Sequence, residues 1–382
     1  MNKTTKILYQ NRNCDNCGND ALNLLWHYER EVTARTQKWH FSVNNCICPD
    51  CGFVFVSPAP SDESLAAYYG DSSDFFIINY NTSKRLSVIE RHAKGGTYLE
   101  LGAKDITEFH ERLGGIFDQV ITQELGDTSS ADLKSTDSIE PNTVDMVAHY
   151  FVLEHVPAVR SFLSDCREML KPDGMMIVEV PDLALYPDQI AALMLYEHTN
   201  HFTVSMLEQI ARQVGFELVE HSNTDASRPF GFSAVFRKVE QPIARDQSVN
   251  EYIANKASFT AGLEKVRAYQ QLNEDAHTAL LQWQAQNKNV LLWGANANFD
   301  GMFSGRDLPA AVTIVDSDPR KANYVEGHEV KTPEQAQDAI QEADAIVIYS
   351  GLWSGEILES IESKYGKKFD SEHIIVVDYY FG

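Results

Sequence analysis

Thr97-Tyr98-Leu99-Glu100-Leu101-Gly102-Ala103-Lys104-Asp105-Ile106 is the stretch whose reading decides the fold. Its first five residues read as a buried strand, Gly102 turns the chain, and a helical stretch follows. Outward from it the alternation continues. A second strand is predicted over 118–122, leading to Glu124, and a third over 144–148. A helix is predicted over 159–170, stopped by Lys171-Pro172-Asp173-Gly174, and a further strand over 175–180. Strands alternating with helices and Gly/Pro turns indicate a parallel, doubly wound α/β sheet. Such a sheet binds its ligand outside the C-terminal ends of the strands. The first turn there needs glycine for close approach, and an acid about 20 residues on takes ribose hydroxyls. Glu100, Gly102 and Glu124 fit those places, with 22 residues from Gly102 to Glu124.

A second half-fold of this kind is predicted near the C-terminus, with strands over 289–293, 312–315, 345–349 and 374–377. Gly294 to Asp316 again spans 22 residues, and Asp378 follows the last strand. Shared architecture explains this better than a shared ligand, since one glycine is weak evidence of a nucleotide. Between the halves, Phe259, Leu263, Val266, Leu272, Ala276, Leu280 and Trp283 keep mostly three- and four-residue steps. They predict an amphipathic connecting helix over 249–286.

Upstream, five of the six cysteines fall between positions 14 and 51. Cys14-Asp15-Asn16-Cys17-Gly18 and Cys48-Pro49-Asp50-Cys51-Gly52 are two matched knuckles. Each turn aims two thiolates at one point, and together they make a closed tetrahedral S₄ shell suited to Zn²⁺. A closed shell leaves no open position, so this zinc is structural. Disulfides would require an oxidising compartment, and a redox dithiol would not need two knuckles. Cys46 is a spare candidate ligand, and Cys166 reads as a small core residue of a helix. Trp39, Phe41 and Val43 alternate, as do Phe53 and Phe55, so the segment is a small zinc ribbon ending at Ser57-Pro58-Ala59-Pro60-Ser61.

The 382 residues carry 32 basic and 55 acidic side chains, a net charge of −23. That balance speaks against nucleic acid and anionic membrane as partners, because both are held by clustered Lys and Arg. It leaves room for a small anionic substrate in a local basic pocket. No signal peptide and no apolar run of membrane-spanning length is visible, so a cytoplasmic protein is expected.

Together these pieces resemble the zinc-ribbon-containing sugar C-methyltransferases of deoxysugar biosynthesis. The resemblance rests on Phe151-Val-Leu-Glu-His155-Val, Leu170-Lys-Pro-Asp-Gly174, Val178-Glu-Val-Pro181-Asp and Tyr196-Glu197-His198-Thr-Asn-His201-Phe202-Thr. Trp293-Gly-Ala-Asn296 and Val315-Asp316-Ser-Asp318-Pro319-Arg-Lys321 extend it to the last domain. It implies a class I core using S-adenosylmethionine to methylate a carbon of a nucleotide-linked keto-sugar. A base removes the proton beside the ketone, and a His–Glu neighbourhood suits that task. By resemblance His198 is the base, Glu197 orients or assists it, and His201 is a third catalytic candidate. Phe151, Leu153 and His155 lie on the cofactor side. A tyrosine before the core contributes, and the sequence does not choose among Tyr68, Tyr69 and Tyr80.

The first loop departs from the family's E/D-x-G-x-G-x-G, since Lys104 and Ile106 replace two glycines. β-branched isoleucine is a poor occupant of a glycine conformation. Lys104 brings charge to a cleft meant for a sulfonium, although it could pair with that cofactor's carboxylate. Three outcomes stay open: a rebuilt loop that still binds S-adenosylmethionine, a loop for a more anionic nucleotide, or a non-catalytic protein that binds a nucleotide-sugar or a protein partner. The expected domains are a ribbon over 1–60, a methyltransferase-like domain over 61–240, a helical connector over 241–285 and a Rossmann-like domain over 286–382. Arg320 and Lys321, with Lys104, are expected near the clefts, and the 294–298 turn is expected to help hold a nucleotide-sugar.

Overall fold

The computed structural model describes residues 4–34, 37–72, 82–103, 107–125, 131–188, 196–224, 230–296, 299, 303, 306, 308–309, 312–325 and 327–377. They divide into two compact units, Met1–Pro187 with Leu195–Ala261, and Asp188–Met194 with Gly262–Gly382.

The first unit begins with a β-layer. Its strands are β1 (Thr4–Lys6), β2 (Tyr9–Gln10), β3 (Asn23–Thr33), β4 (Lys38–Ile47), β5 (Val54–Val56) and β6 (Ala59–Pro60). β3 and β4 form a long antiparallel hairpin, β1 lies parallel to β4, β5 pairs antiparallel with β4, and β2 pairs with β6. Trp39, Phe41 and Val43 point to one buried face of β4, as their two-residue period requires. They pack with Ile7, Val56 and Tyr68. The layer is therefore larger than the small ribbon expected, because β3 supplies a further 11 residues of strand.

Helices α1 (Asp62–Ser72) and α2 (Ser83–His92) lead into the α/β core. Its elements are β7 (Thr97–Leu101), α3 (Thr107–Leu113), β8 (Gln119–Gln123), β9 (Val144–Tyr150), α4 (Val159–Met169), β10 (Leu170–Pro181), β11 (Asn200–His201), α5 (Val204–Gln213), β12 (Phe216–Asn223) and β13 (Gly231–Lys238). The six-stranded sheet runs β12-β13-β10-β9-β7-β8. β8, β7, β9 and β10 are parallel, and β13 is inserted antiparallel between β10 and β12. Beyond β8, among the described residues, a single parallel bridge of Gln123 with Leu133 continues the order. Lys171-Pro172-Asp173-Gly174 ends the preceding helix as expected. It then lies inside β10 as an irregularity between Leu170 and Met175, not as a free turn.

The stretch around His201 is more than a connecting loop. Asn200 and His201 form β11, which pairs antiparallel with β5, so a segment of the core completes the N-terminal sheet.

Helix α6 (Tyr252–Ala285) begins in the first unit and continues into the second. Leu272, expected on its apolar face, is instead 36% exposed. Tyr269 and Asn273 are buried in its place, so the buried series 259, 263, 266, 269, 273, 276, 280, 283 has no gap. The second unit holds β14 (Val290–Trp293), β15 (Val312–Val315), β16 (Val330–Lys331), β17 (Ala345–Ile348) and β18 (Ile374–Val376), with α7 (Gln337–Glu342) and α8 (Ser354–Tyr365). All strands are parallel, in the order β16-β15-β14-β17-β18, which is the doubly wound order 3-2-1-4-5. Among the described residues, no helix is long and apolar enough to cross a membrane.

Candidate functional site

Two constellations stand out in the first unit. The first is the cysteine cluster. Cys14, Cys17, Cys48 and Cys51 bring their sulfurs within 4.8 Å of one another. Cys14 Sγ lies 3.5 Å from Cys51 Sγ, and Cys17 Sγ lies 3.4 Å from Cys48 Sγ. A tetrahedron with zinc–sulfur arms of about 2.3 Å has edges of roughly 3.8 Å, so the four thiols fit one zinc ion. The knuckles are built alike. Gly18 N–H donates to Cys14 O at 2.7 Å and Gly52 N–H to Cys48 O at 2.9 Å, with φ of 81° and 86°. A Cβ on Gly52 would also fall 2.4 Å from the Glu251 carbonyl carbon, so the second knuckle needs glycine for two reasons. The sulfurs share hydrogen bonds, chiefly from Cys14 and Cys51, that pull the Cys48 thiol below its ordinary range, while its two partners are pushed up. Cys46 stands apart, its thiol 3.7 Å from Ser57 O, and Cys166 is a fully buried core residue of α4.

The second constellation gathers at the C-terminal end of β9. A 3₁₀ turn, Leu153–His155, follows the strand. Four hydrogen bonds tie the 198–201 segment to this turn and to Val156. Thr199 N–H and Thr199 Oγ1 donate to Glu154 O at 2.7 and 3.1 Å, and Asn200 Nδ2 donates to Leu153 O and Val156 O at 3.2 and 2.8 Å. The result sets the His155 and His198 rings edge to face, 4.9 Å between centroids. The ligand atoms of Glu154, His155 and His198 all lie within 4.8 Å of one another. Glu154 and His198 are buried and His155 is half-buried.

Tyr68 and Tyr69 stand differently toward this cluster. Tyr68 Oη lies 2.6 Å from Tyr196 Oη and also hydrogen-bonds Glu197, and burial pushes its pKa up. Its hydroxyl is occupied. Tyr69 sits with its ring 6.4 Å from His155. Its hydroxyl is buried with no hydrogen-bond partner among the described residues. Burial raises its pKa first, and the charges of Glu197, Tyr196, Glu154 and Glu124 add to that, so it is held as a neutral donor. Tyr80 lies outside the described residues.

His201 is brought near the site but enclosed. Its Nδ1 meets Tyr186 Oη and its Nε2 meets Asn45 Oδ1, both at 2.7 Å. Burial lowers its pKa to about 3. It links β11 to β4 as a neutral imidazole.

On the cofactor side, Gly102 has φ 69°, and a Cβ there would fall 2.4 Å from Val152 Cγ2. The first turn thus lies directly against the turn after β9, a contact open only to glycine. Glu100 is 2% exposed, and its carboxylate accepts from His110 Nε2 at 3.1 Å and from Tyr98 Oη at 3.3 Å. It braces the β7–α3 junction. Glu124 follows β8 and caps the Leu125 N–H at 2.7 Å. Phe151 takes a positive φ of 59°, donates its N–H to Glu179 O, and rests its ring against Phe230. Leu153 is wholly buried in the core. Lys104 and Ile106 lie outside the described residues.

In the second unit the analogous acid is already engaged. Asp316 accepts from Ala295 N–H and Lys321 Nζ, both at 2.9 Å. Arg320 is paired with Asp318, which its hydrogen bond holds at about 2. Both basic residues neutralise acids of their own loop instead of standing open to a ligand.

Of the residues singled out from the sequence, the structure brings the four cysteines together and sets His155 beside His198, and it adds the buried Glu154 and Tyr69 to that neighbourhood. Burial of a carboxylate is a three-dimensional property that the one-letter pattern does not carry.

Residues 79–221 match the family of the methyltransferase domain. No curated protein matches the chain. Similar solved structures include 1,6-didemethyltoxoflavin-N1-methyltransferase of Burkholderia thailandensis with bound 1,6-didemethyltoxoflavin and S-adenosylhomocysteine, at 15% identity and TM-score 0.39, over 51% of this chain and 98% of that one. An S-adenosylmethionine dependent methyltransferase of Mesorhizobium loti is similar at 13% identity and TM-score 0.34, over 42% and 99%. The PH0226 protein of Pyrococcus horikoshii is similar at 16% identity and TM-score 0.35, over 45% and 98%. With these TM-scores the likenesses add nothing to the reading of the site.

Proposed function

We propose that this chain is an S-adenosylmethionine-dependent methyltransferase that methylates a carbon beside the ketone of a nucleotide-linked sugar or a related small metabolite. The observation that supports it is the convergence of Glu154, His155 and His198 beside the buried Tyr69, whose hydroxyl has no hydrogen-bond partner among the described residues. Carbon methylation needs a base for a weakly acidic C–H and a donor for the enolate oxygen. His198 is the base. The neighbouring Glu154 carboxylate stabilises the imidazolium that proton transfer creates. Tyr69 donates its O–H to the developing oxyanion, an arrangement that gains strength from burial. Glu197, held by Tyr68, orients the loop that carries His198.

Gly102 lets the turn after β7 pack directly against Val152 of the turn after β9, which brings together the two turns that line such a cofactor cleft. Gly102, Glu124 and the 151–156 turn would hold S-adenosylmethionine, which supplies an electrophilic methyl group when bound. The cysteine tetrad would hold a structural Zn²⁺.

Calorimetry with S-adenosylhomocysteine tests the cofactor, with one site per chain and micromolar affinity expected. No heat and no thermal shift at millimolar ligand would leave a non-catalytic binding protein in its place. His198→Ala should abolish methyl transfer and leave that affinity within about twofold. Wild-type turnover in the variant would remove the base assignment. Metal analysis should find one zinc per chain. A second metal on Glu154, His155 and His198 would occupy the base and overturn the mechanism.

A further inference from the structure

We infer that Arg12 is a positioning residue, which carries the order of the cysteine knot to the loop bearing His198; the inference rests on the assignment of that loop as the reactive one. Arg12 stands two residues before Cys14, and its side chain is only 10% exposed. Its guanidinium lies over the Phe55 ring, 4.7 Å from the centroid. Nη2 donates to Asn200 Oδ1 at 2.8 Å and to Asp15, and Nη1 reaches Thr199 O at 3.5 Å.

These contacts set the two residues that immediately follow His198. Asn200 uses its amide nitrogen on Leu153 O and Val156 O, and its amide oxygen on Arg12. All three bonds together fix which way the amide faces. Thr199 meanwhile bonds the Glu154 carbonyl. A continuous path therefore runs from the knuckle through Arg12 and Asn200 to the turn holding Glu154 and His155.

The knuckle end of this path is itself anchored. Arg160 Nη2 and Gln213 Nε2 each donate to Asn16 O at 3.0 Å, from α4 and α5. A buried guanidinium requires a paired charge and acceptors for its N–H groups; Asp15 supplies the charge, and Asn200 Oδ1 and Thr199 O accept from the terminal nitrogens, while Nε has no partner among the described residues. The planar fork reaches several acceptors at once, which a lysine ammonium on its flexible stem does not reproduce. Loss of Arg12 leaves Asn200 Oδ1 buried and unsatisfied.

The test measures His198 itself and needs no sugar substrate. Full-length, zinc-loaded protein is treated with diethyl pyrocarbonate, and carbethoxylation of each histidine is followed by peptide mass spectrometry. Losing about one buried hydrogen bond should raise the His198 rate roughly tenfold in Arg12→Met. His149, fully buried in the core, should be unchanged and reports any global loosening. Arg12→Lys should fall between wild type and Arg12→Met, and Asn200→Ala should raise the rate by the same route. Arg12→Met combined with Asn200→Ala should react no faster than either alone. If Arg12→Met fails to fold, Arg12→Lys and Asn200→Ala carry the test. An unchanged His198 rate, or a rise shared with His149, overturns the inference. S-adenosylhomocysteine affinity is measured alongside on the same samples. Its absence in wild type would sink the methyltransferase reading and leave the Arg12 result standing.

Discussion

His149 and His201 are both buried and both held neutral, with pKa lowered to about 3 by burial, yet they stand differently in the fold. His201 has a partner on each ring nitrogen. His149 packs edge-on against Phe162 and has no partner on either nitrogen among the described residues. A buried polar group without a partner costs about 1–3 kcal/mol. His149→Leu should therefore raise stability at pH 7 by that order, seen as a higher urea midpoint with unchanged slope. The pH dependence follows from the same burial. In the unfolded chain these histidines titrate near 6.5. Below that pH the unfolded state binds protons that the native state refuses until about pH 3. Each histidine's contribution is thus complete above pH 6.5 and is lost toward pH 3, by about 1.4 kcal/mol per pH unit. His149→Leu should remove one such increment between pH 6.5 and 5. An unaltered acid slope in the variant would mean that His149 is not buried neutral.

At the scale of elements, β11 joins what the sequence reads as separate domains. Only two residues pair with β5, but His201 at its end bonds Asn45 on β4. Asn45→Ala would strand the His201 Nε2, at an expected cost of about 1–3 kcal/mol. Hydrogen exchange should quicken in β5 and β11 and stay unchanged in β7 and β9. Equal protection in β5 and β11 would show that the pairing does not depend on this bond. The strands β7 and β15 were legible to the residue because each is a short apolar run closed by a polar or glycine turn. β11 was illegible because two residues carry no periodicity and their partner lies about 145 positions away. β3 hides behind a register irregularity between Leu24 and Trp26 that disturbs its alternation. The gap in α6 arose because a polar residue, Asn273, fills a core position, its amide bonded to Tyr269 O. Of the candidate site, the four cysteines and Gly102 follow from residue type and spacing. Glu154 and Tyr69 follow only from burial and from which hydroxyl is already taken.

At the scale of the whole molecule, the cysteine tetrad is a junction. Its first knuckle is held by α4 and α5 through Asn16. Its second is held by the start of α6, where Glu251 N–H donates to Cys51 O at 3.1 Å and Asn255 Nδ2 to Gly52 O at 2.9 Å. Both lie in the first unit, while the second unit keeps its own apolar cluster around Leu291, Trp293, Ile346 and Ile348. A ligand that binds only the folded state stabilises by an amount set by its concentration over its dissociation constant. Structural zinc can therefore contribute several kcal/mol to one unit and nothing to the other. Scanning calorimetry of the full chain should show two transitions. Chelation under reducing conditions should lower one by many degrees and leave the other in place, and adding zinc back should restore it. Cys48→Ser should reproduce the chelated trace without chelator. A single transition that moves as a whole would mean that the two units melt as one, with the cysteine knot supporting the entire chain.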